Sequence, residues 1–242
     1  MITLADIHPP DGGLIYTETN LHHFFPEPLN MLTSALFLIP CIYWLIKLKG
    51  FSEHYTFLSV STYLMLTGAI GGIIYHGLRR WQFFILMDWV PIALLCLAAS
   101  VYFWMLLLGR WIYGITALAV FVVLETLMLK LMPETSHQLA ININYAFMVL
   151  MVVLPLALLL IKTRGYNWGL VVMALLTFVA ALSFRIYDRF APWAIGTHFL
   201  WHTFGALAAS FIFLYLYRLR EKSPFDKKEM SSRPTGEIFS ER

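Results

Sequence analysis

Seven apolar stretches, each long enough to cross a bilayer, alternate with short polar links. They cover about 29–46, 55–75, 82–108, 111–131, 141–161, 168–184 and 195–217. A helix needs about 20 apolar residues to cross ~30 Å of hydrocarbon. The third stretch is the longest and is expected to tilt or to begin outside the hydrocarbon. The links carry Gly, Pro and charge, as in Lys47, Lys49 and Gly50, or Asp188, Arg189 and Pro192. Links this short favour antiparallel neighbours. The pattern predicts an all-α, polytopic bundle of seven transmembrane helices. Residues 1–28 form a segment before the first span, 29–217 the membrane domain, and 218–242 a polar tail expected to be disordered and cytoplasmic. No internal repeat is evident, which weighs against a transporter built from duplicated halves.

Composition agrees. The chain has 242 residues, of which 60% are hydrophobic and 13% charged, about half the charge of a soluble domain. Its mean hydropathy is +0.71. This is the profile of an integral, multi-pass membrane protein, of a bacterial inner membrane or a eukaryotic endomembrane. The net charge of +3 is small and by itself says nothing of nucleic acid; no lysine-rich patch interleaved with aromatics appears outside the tail, so no nucleic-acid partner is expected. Cys41 and Cys96 fall inside apolar runs, so no disulfide framework is indicated. The first apolar run begins too late for a cleaved signal peptide. Basic loop residues set the orientation. With the N-terminus outside, Lys47, Lys49, Arg110, Lys162, Arg164 and the seven Lys and Arg from Arg218 onward lie inside. Only Arg79, Arg80, Lys130, Arg185 and Arg189 lie outside. The outer N-terminus and cytoplasmic C-terminus follow. Nothing in the pattern fixes an oligomeric state.

Against this apolar background the ionisable residues are informative, because they are costly in a membrane and read as functional. His198 and His202 are four apart and share one helix face. His76 falls at the outer end of the second span, and Asp88 lies six residues into the third, about 9 Å down at 1.5 Å per residue. Glu125, Asn142, Asn144 and Tyr145 occupy the same outer half. One shallow layer thus collects polar groups from several spans, which favours a shared metal site over separately satisfied side chains. Three imidazoles leave a fourth zinc position open, as hydrolytic sites require. Asp88 would then orient or deprotonate water. The competing assignments are histidines that hydrogen-bond to neighbouring helices, and an Asp88 paired with Arg79 or Arg80. A retinal pigment is excluded, since 195–217 contains no lysine.

Two further stretches carry polar pattern. Glu18, Asn20 and Glu27 are hard oxygen donors with no basic residue between them, a type that suits calcium. An acidic outer loop is the simpler alternative. Asn30, Thr33 and Ser34 make a stripe at helical spacing that should face the bundle. Gly68, Gly71 and Gly72 are small residues that permit close helix approach.

Taken together, Glu18-x-Asn20, Glu27-x-x-Asn30, His76, Asp88 and His198-x-x-x-His202 resemble the alkaline ceramidases. That family belongs to the seven-span metal-hydrolase superfamily that includes the adiponectin and progestin receptors. The resemblance implies zinc held by His76, His198 and His202, and Asp88 acting on water. It also implies calcium near Glu18, Asn20, Glu27 and the Tyr16 carbonyl. The implied activity is cleavage of ceramide, or a related N-acyl lipid of the membrane, to a fatty acid and a sphingoid base or other amine. The alternative is a lipid-binding, receptor-like protein with a structural metal. Three departures stand out. Where the family usually has a serine one turn before the histidine of span two, this chain has Gly72, which leaves Ser34 and Tyr145 as candidate oxyanion donors. An aspartate expected before Glu18 is Ile15, leaving two carboxylates for calcium. The spacing from His76 to Asp88 is one residue longer.

Overall fold

A computed structural model of the chain describes residues 9–131 and 137–222, with side chains except at 129, 137–146, 148 and 222. Among the described residues all regular structure is helical. The helices are α1 (Pro28–Ser34), α2 (Leu38–Lys47), α3 (Thr56–Leu78), α4 (Gln82–Leu108), α5 (Trp111–Leu131), α6 (His137–Lys162), α7 (Trp168–Tyr187) and α8 (His198–Lys222). Six helical spans are long and apolar enough to cross a membrane, among them Pro28–Lys47, in which α1 and α2 act together. In α6 the described apolar stretch is the shorter Val149–Lys162.

The first span is not one continuous α-helix. A 3₁₀ turn at Ala35–Phe37 separates α1 from α2. Pro40 accounts for it: proline has no N–H to offer the carbonyl four residues back, and its ring crowds that turn. The break leaves α1 as a short helix, with Asn30 and Ser34 of its polar stripe almost fully enclosed and Thr33 half-buried.

The bundle is polarised. The apolar core gathers Cys41 and Trp44 of α2, Leu58 and Met65 of α3, Phe103 of α4, Leu156 and Leu159 of α6, Val171 of α7 and Phe213, Tyr215 and Leu216 of α8. These are the ends of the helices away from His76, Asp88 and His198. Outside this core many large apolar side chains are exposed, as on Val123, Leu127, Leu176 and Val179. Such faces suit a lipid solvent, where burial is no longer the driving force. Trp81, Trp111, Trp168 and Trp193 stand exposed at span ends.

A close helix crossing lies at the other end. A Cβ on Gly71 would fall 2.2 Å from the Met87 carbonyl oxygen, so α3 and α4 touch backbone to backbone there. Pro91 lies inside α4, four residues after Met87, and cannot donate to that carbonyl. Gly71 gives the freed oxygen room. The crossing sets the neighbouring Asp88 against Gly72.

Candidate metal centre

His76 stands in the last turn of α3, His198 at the first residue of α8 and His202 one turn further. Their exposures are 0%, 2% and 5%. The ring centroids lie 5.4 Å apart for His76 and His198, and 4.9 Å for each ring with His202. Each offers a ligand nitrogen, all within 4.8 Å of one another, and this is the one such His/Cys/Asp/Glu group among the described residues. His76 Nε2, His198 Nδ1 and His202 Nε2 are buried with no hydrogen-bond partner. Buried nitrogens left without a partner are costly. A shared cation would answer that cost, and three imidazoles are a donor set that suits zinc among other divalent metals.

The next ring of contacts fixes the histidines. Glu27, fully buried, accepts a hydrogen bond from His76 Nδ1. This selects the tautomer whose Nε2 lone pair faces the other two rings, a partnership typical of metal-bound histidine. Glu27 also accepts from Thr19 Oγ1 at 2.6 Å and from Asn30 Nδ2 at 3.3 Å. Burial opposes its charge, but His76, Arg79 and Thr19 outweigh burial and hold the carboxyl below its usual range. Tyr16 stacks on His198 at 3.8 Å and 23°. Burial raises the Tyr16 phenol, which therefore stays protonated at neutral pH.

His198 owes its position to Asp188. One carboxylate oxygen, Oδ1, accepts from the backbone N–H groups of Thr197 at 2.7 Å and His198 at 2.8 Å, and Oδ2 accepts from Thr17 at 2.9 Å. Thr17 Oγ1 donates back to the Asp188 carbonyl at 2.6 Å. Asp188 thereby caps α8 and ties it to the N-terminal segment. Gly196 makes this possible: its φ is +61° and a Cβ there would sit 2.3 Å from Asp188 Oδ1.

Asp88 and Ser34 both lie against Gly72. A Cβ on Gly72 would fall 2.8 Å from Asp88 Oδ1 and 3.1 Å from Ser34 Oγ. The hydroxyl expected from α3 is thus absent, while Ser34 brings one to the same spot from α1. Ser34 Oγ donates to the Asn30 carbonyl at 2.8 Å. Tyr145 lies on α6, and its side chain falls outside the described residues.

The residues expected to hold calcium do other work. Glu18 accepts from the Leu29 and Asn30 amides at 2.6 and 3.0 Å, and so caps α1. Burial nonetheless pushes its carboxyl above the usual range. Asn20 Oδ1 accepts from the His22 amide at 3.1 Å. The Tyr16 carbonyl accepts from the Thr19 amide at 3.0 Å. Glu27 is committed to His76, Thr19, Asn30 and Arg79. Arg79 pairs with Asp11 and Glu27, not with Asp88.

Sequence reasoning gave no part to Asp11 or Asp188. For Asp188 a signal existed: Gly196-Thr197 ahead of an apolar run marks a helix start, where a nearby carboxylate is favourable. No family model matches the chain, and a search of curated proteins finds no relative.

Proposed function

We propose that the chain is an intramembrane zinc-dependent amide hydrolase acting on ceramide or a related N-acyl lipid. The observation that carries this reading is the trio of buried imidazoles with unpartnered, converging ring nitrogens; Asp88 and Ser34 flank Gly72, one helical turn before His76. His76, His198 and His202 would hold the metal. When bound, zinc polarises a carbonyl and lowers the pKa of water from 15.7 toward about 7. Asp88 takes a proton from the attacking water and later passes it to the leaving amine. Ser34 would donate to the oxygen that gains charge as the carbonyl becomes tetrahedral, its one hydroxyl proton turning from the Asn30 carbonyl to do so. The C–N bond breaks, and water's oxygen stays with the acyl group as a fatty acid. Glu27 keeps His76 in the required tautomer, and Asp188 keeps His198 at the start of α8.

In this reading α6 supplies a further span, which makes seven, with the N-terminal segment outside and the C-terminus in the cytoplasm. The site then lies just beneath the outer face, where a two-tailed lipid can enter sideways. The test is hydrolysis of labelled ceramides by purified protein, with elemental analysis of the same sample. Zinc near one per chain and turnover lost in His198→Ala support the reading. Full turnover in that variant removes it. Lipid binding with no product favours the receptor-like alternative.

A further inference from the structure

The oxygen donors of the N-terminal segment suit a hard cation, and the structure puts a cation among them that belongs to the chain. The Arg79 side chain is 1% exposed. Its Nε donates to Asp11 Oδ2 at 2.6 Å, and Nη2 to Asp11 Oδ1 at 3.1 Å and to the Leu14 carbonyl at 2.9 Å. Nη1 donates to Glu27 Oε1. The guanidinium also lies over the Tyr75 ring at 4.7 Å and the Tyr16 ring at 5.9 Å. One rigid fork thus meets two carboxylates, a carbonyl and two ring faces, the contacts a planar donor makes and a lysine cannot.

The backbone at Arg79 carries an independent sign. It ends α3 with φ +48°, the left-handed conformation that glycine adopts readily and other residues adopt at a cost. A strained backbone persists only where its surroundings hold it. Here the conformation turns the side chain back under residues 11–14 and against Glu27.

We propose that Arg79 is the built-in cation of this chain, fixing the N-terminal segment over the histidine site in place of a calcium ion. Asp11, absent from the expected calcium set, supplies the second carboxylate. Glu18 and Asn20 are left to cap α1 and close a loop. Arg79 is a positioning residue: it reaches the site through Glu27, which holds His76. The proposal does not depend on what reaction the histidines perform.

The test uses the full-length, zinc-loaded protein in detergent. Equilibrium dialysis with radioactive calcium at free concentrations up to about 1 mM covers even weak extracellular sites. Expected are no stoichiometric calcium and a Tm that calcium leaves unchanged. In Arg79→Gln, Tm should fall and chymotrypsin should cut after Tyr16, a bond protected in the wild type, with Arg79→Lys between the two. Stoichiometric calcium on the wild type overturns the proposal, and so does an Arg79→Gln protein with wild-type Tm and protection. If Arg79→Gln fails to fold, the wild-type dialysis still decides. None of these readouts involves lipid hydrolysis, so their failure is separate from failure of the hydrolase reading.

Discussion

Replacing Asp188 tests the frame of the site. Its carboxylate, 4% exposed, accepts three backbone N–H groups, from Thr17, Thr197 and His198. In Asp188→Ala all three lose their acceptor. A buried amide left unsatisfied costs about 1–3 kcal/mol, so three set a loss of at least about 3 kcal/mol. Loss of the charge at the start of α8 adds up to about 2 kcal/mol. In Asp188→Asn one oxygen can stay with Thr197 and His198, while the new amide group opposes the Thr17 N–H. That single mismatch costs about 1–3 kcal/mol. At about 2–4 °C per kcal/mol for a chain of this size, the alanine variant should melt at least about 6 °C lower, with asparagine between it and the wild type. Heating a membrane protein is often irreversible, so the ranking is read at one scan rate in one detergent. If the histidines hold zinc as proposed, its binding gives a second readout. With the first turn of α8 untied, His198 is free to wander, and a lost supporting contact typically weakens metal binding about 10–100-fold. An alanine variant that melts with the wild type and keeps its zinc would refute the reasoning, as would asparagine melting below alanine.

Three further outcomes can be checked. Gly72→Ala places a methyl 2.8 Å from Asp88 Oδ1 and 3.1 Å from Ser34 Oγ; with zinc retained, kcat on an N-acyl lipid should fall at least about tenfold, equivalent to ~1.4 kcal/mol, and an unchanged kcat would sever Asp88 and Ser34 from the reaction. Glu27→Gln removes the charged acceptor of His76 Nδ1 and should weaken zinc about 10–100-fold in a competition titration; wild-type affinity would deny Glu27 its part. Burial raises the Glu18 carboxyl despite the Leu29 and Asn30 amides, so its protonation stabilises the fold fully below the ordinary value of about 4.3, and that gain is lost as pH rises through the raised value. The Tm difference between wild type and Glu18→Gln should therefore move in favour of the wild type as pH falls through that window, and a constant difference would contradict it.

Much of this was legible along the chain because lipid enforces a simple rule. Each span must be apolar and helical, so helix positions follow from run lengths. The polar exceptions inherit depth from their place in those runs, which is how His76, Asp88, His198 and His202 could be grouped across helices. Two kinds of feature left no such trace. The turn that splits α1 from α2 depends on one proline, and the apolar run continues through it. The Arg79 pairing with Asp11 spans 68 residues, and no spacing rule links a helix terminus to an acidic residue so far away. Likewise nothing in the spacing pairs Glu27 with the Arg79 guanidinium, 52 residues on.

The uneven distribution of order explains why the N-terminal segment matters so much. At the far end of the bundle, Trp44, Phe103, Phe213 and their neighbours pack mainly through apolar contact. At the site end the helices terminate, and their last carbonyls and first amides need partners that lipid cannot give. Apolar packing cannot orient an imidazole ring to a fraction of an ångström, whereas directional hydrogen bonds can. Carboxylates meet both needs. Glu18 holds the start of α1, Asp188 the start of α8, and Glu27 the His76 ring, while Asp11 holds Arg79 just past the end of α3. Except for Asp188, these anchors come from residues before α1, and Asp188 itself holds Thr17. The segment ahead of the first span is therefore a structural part of the site, which spans assembled without it would present only loosely.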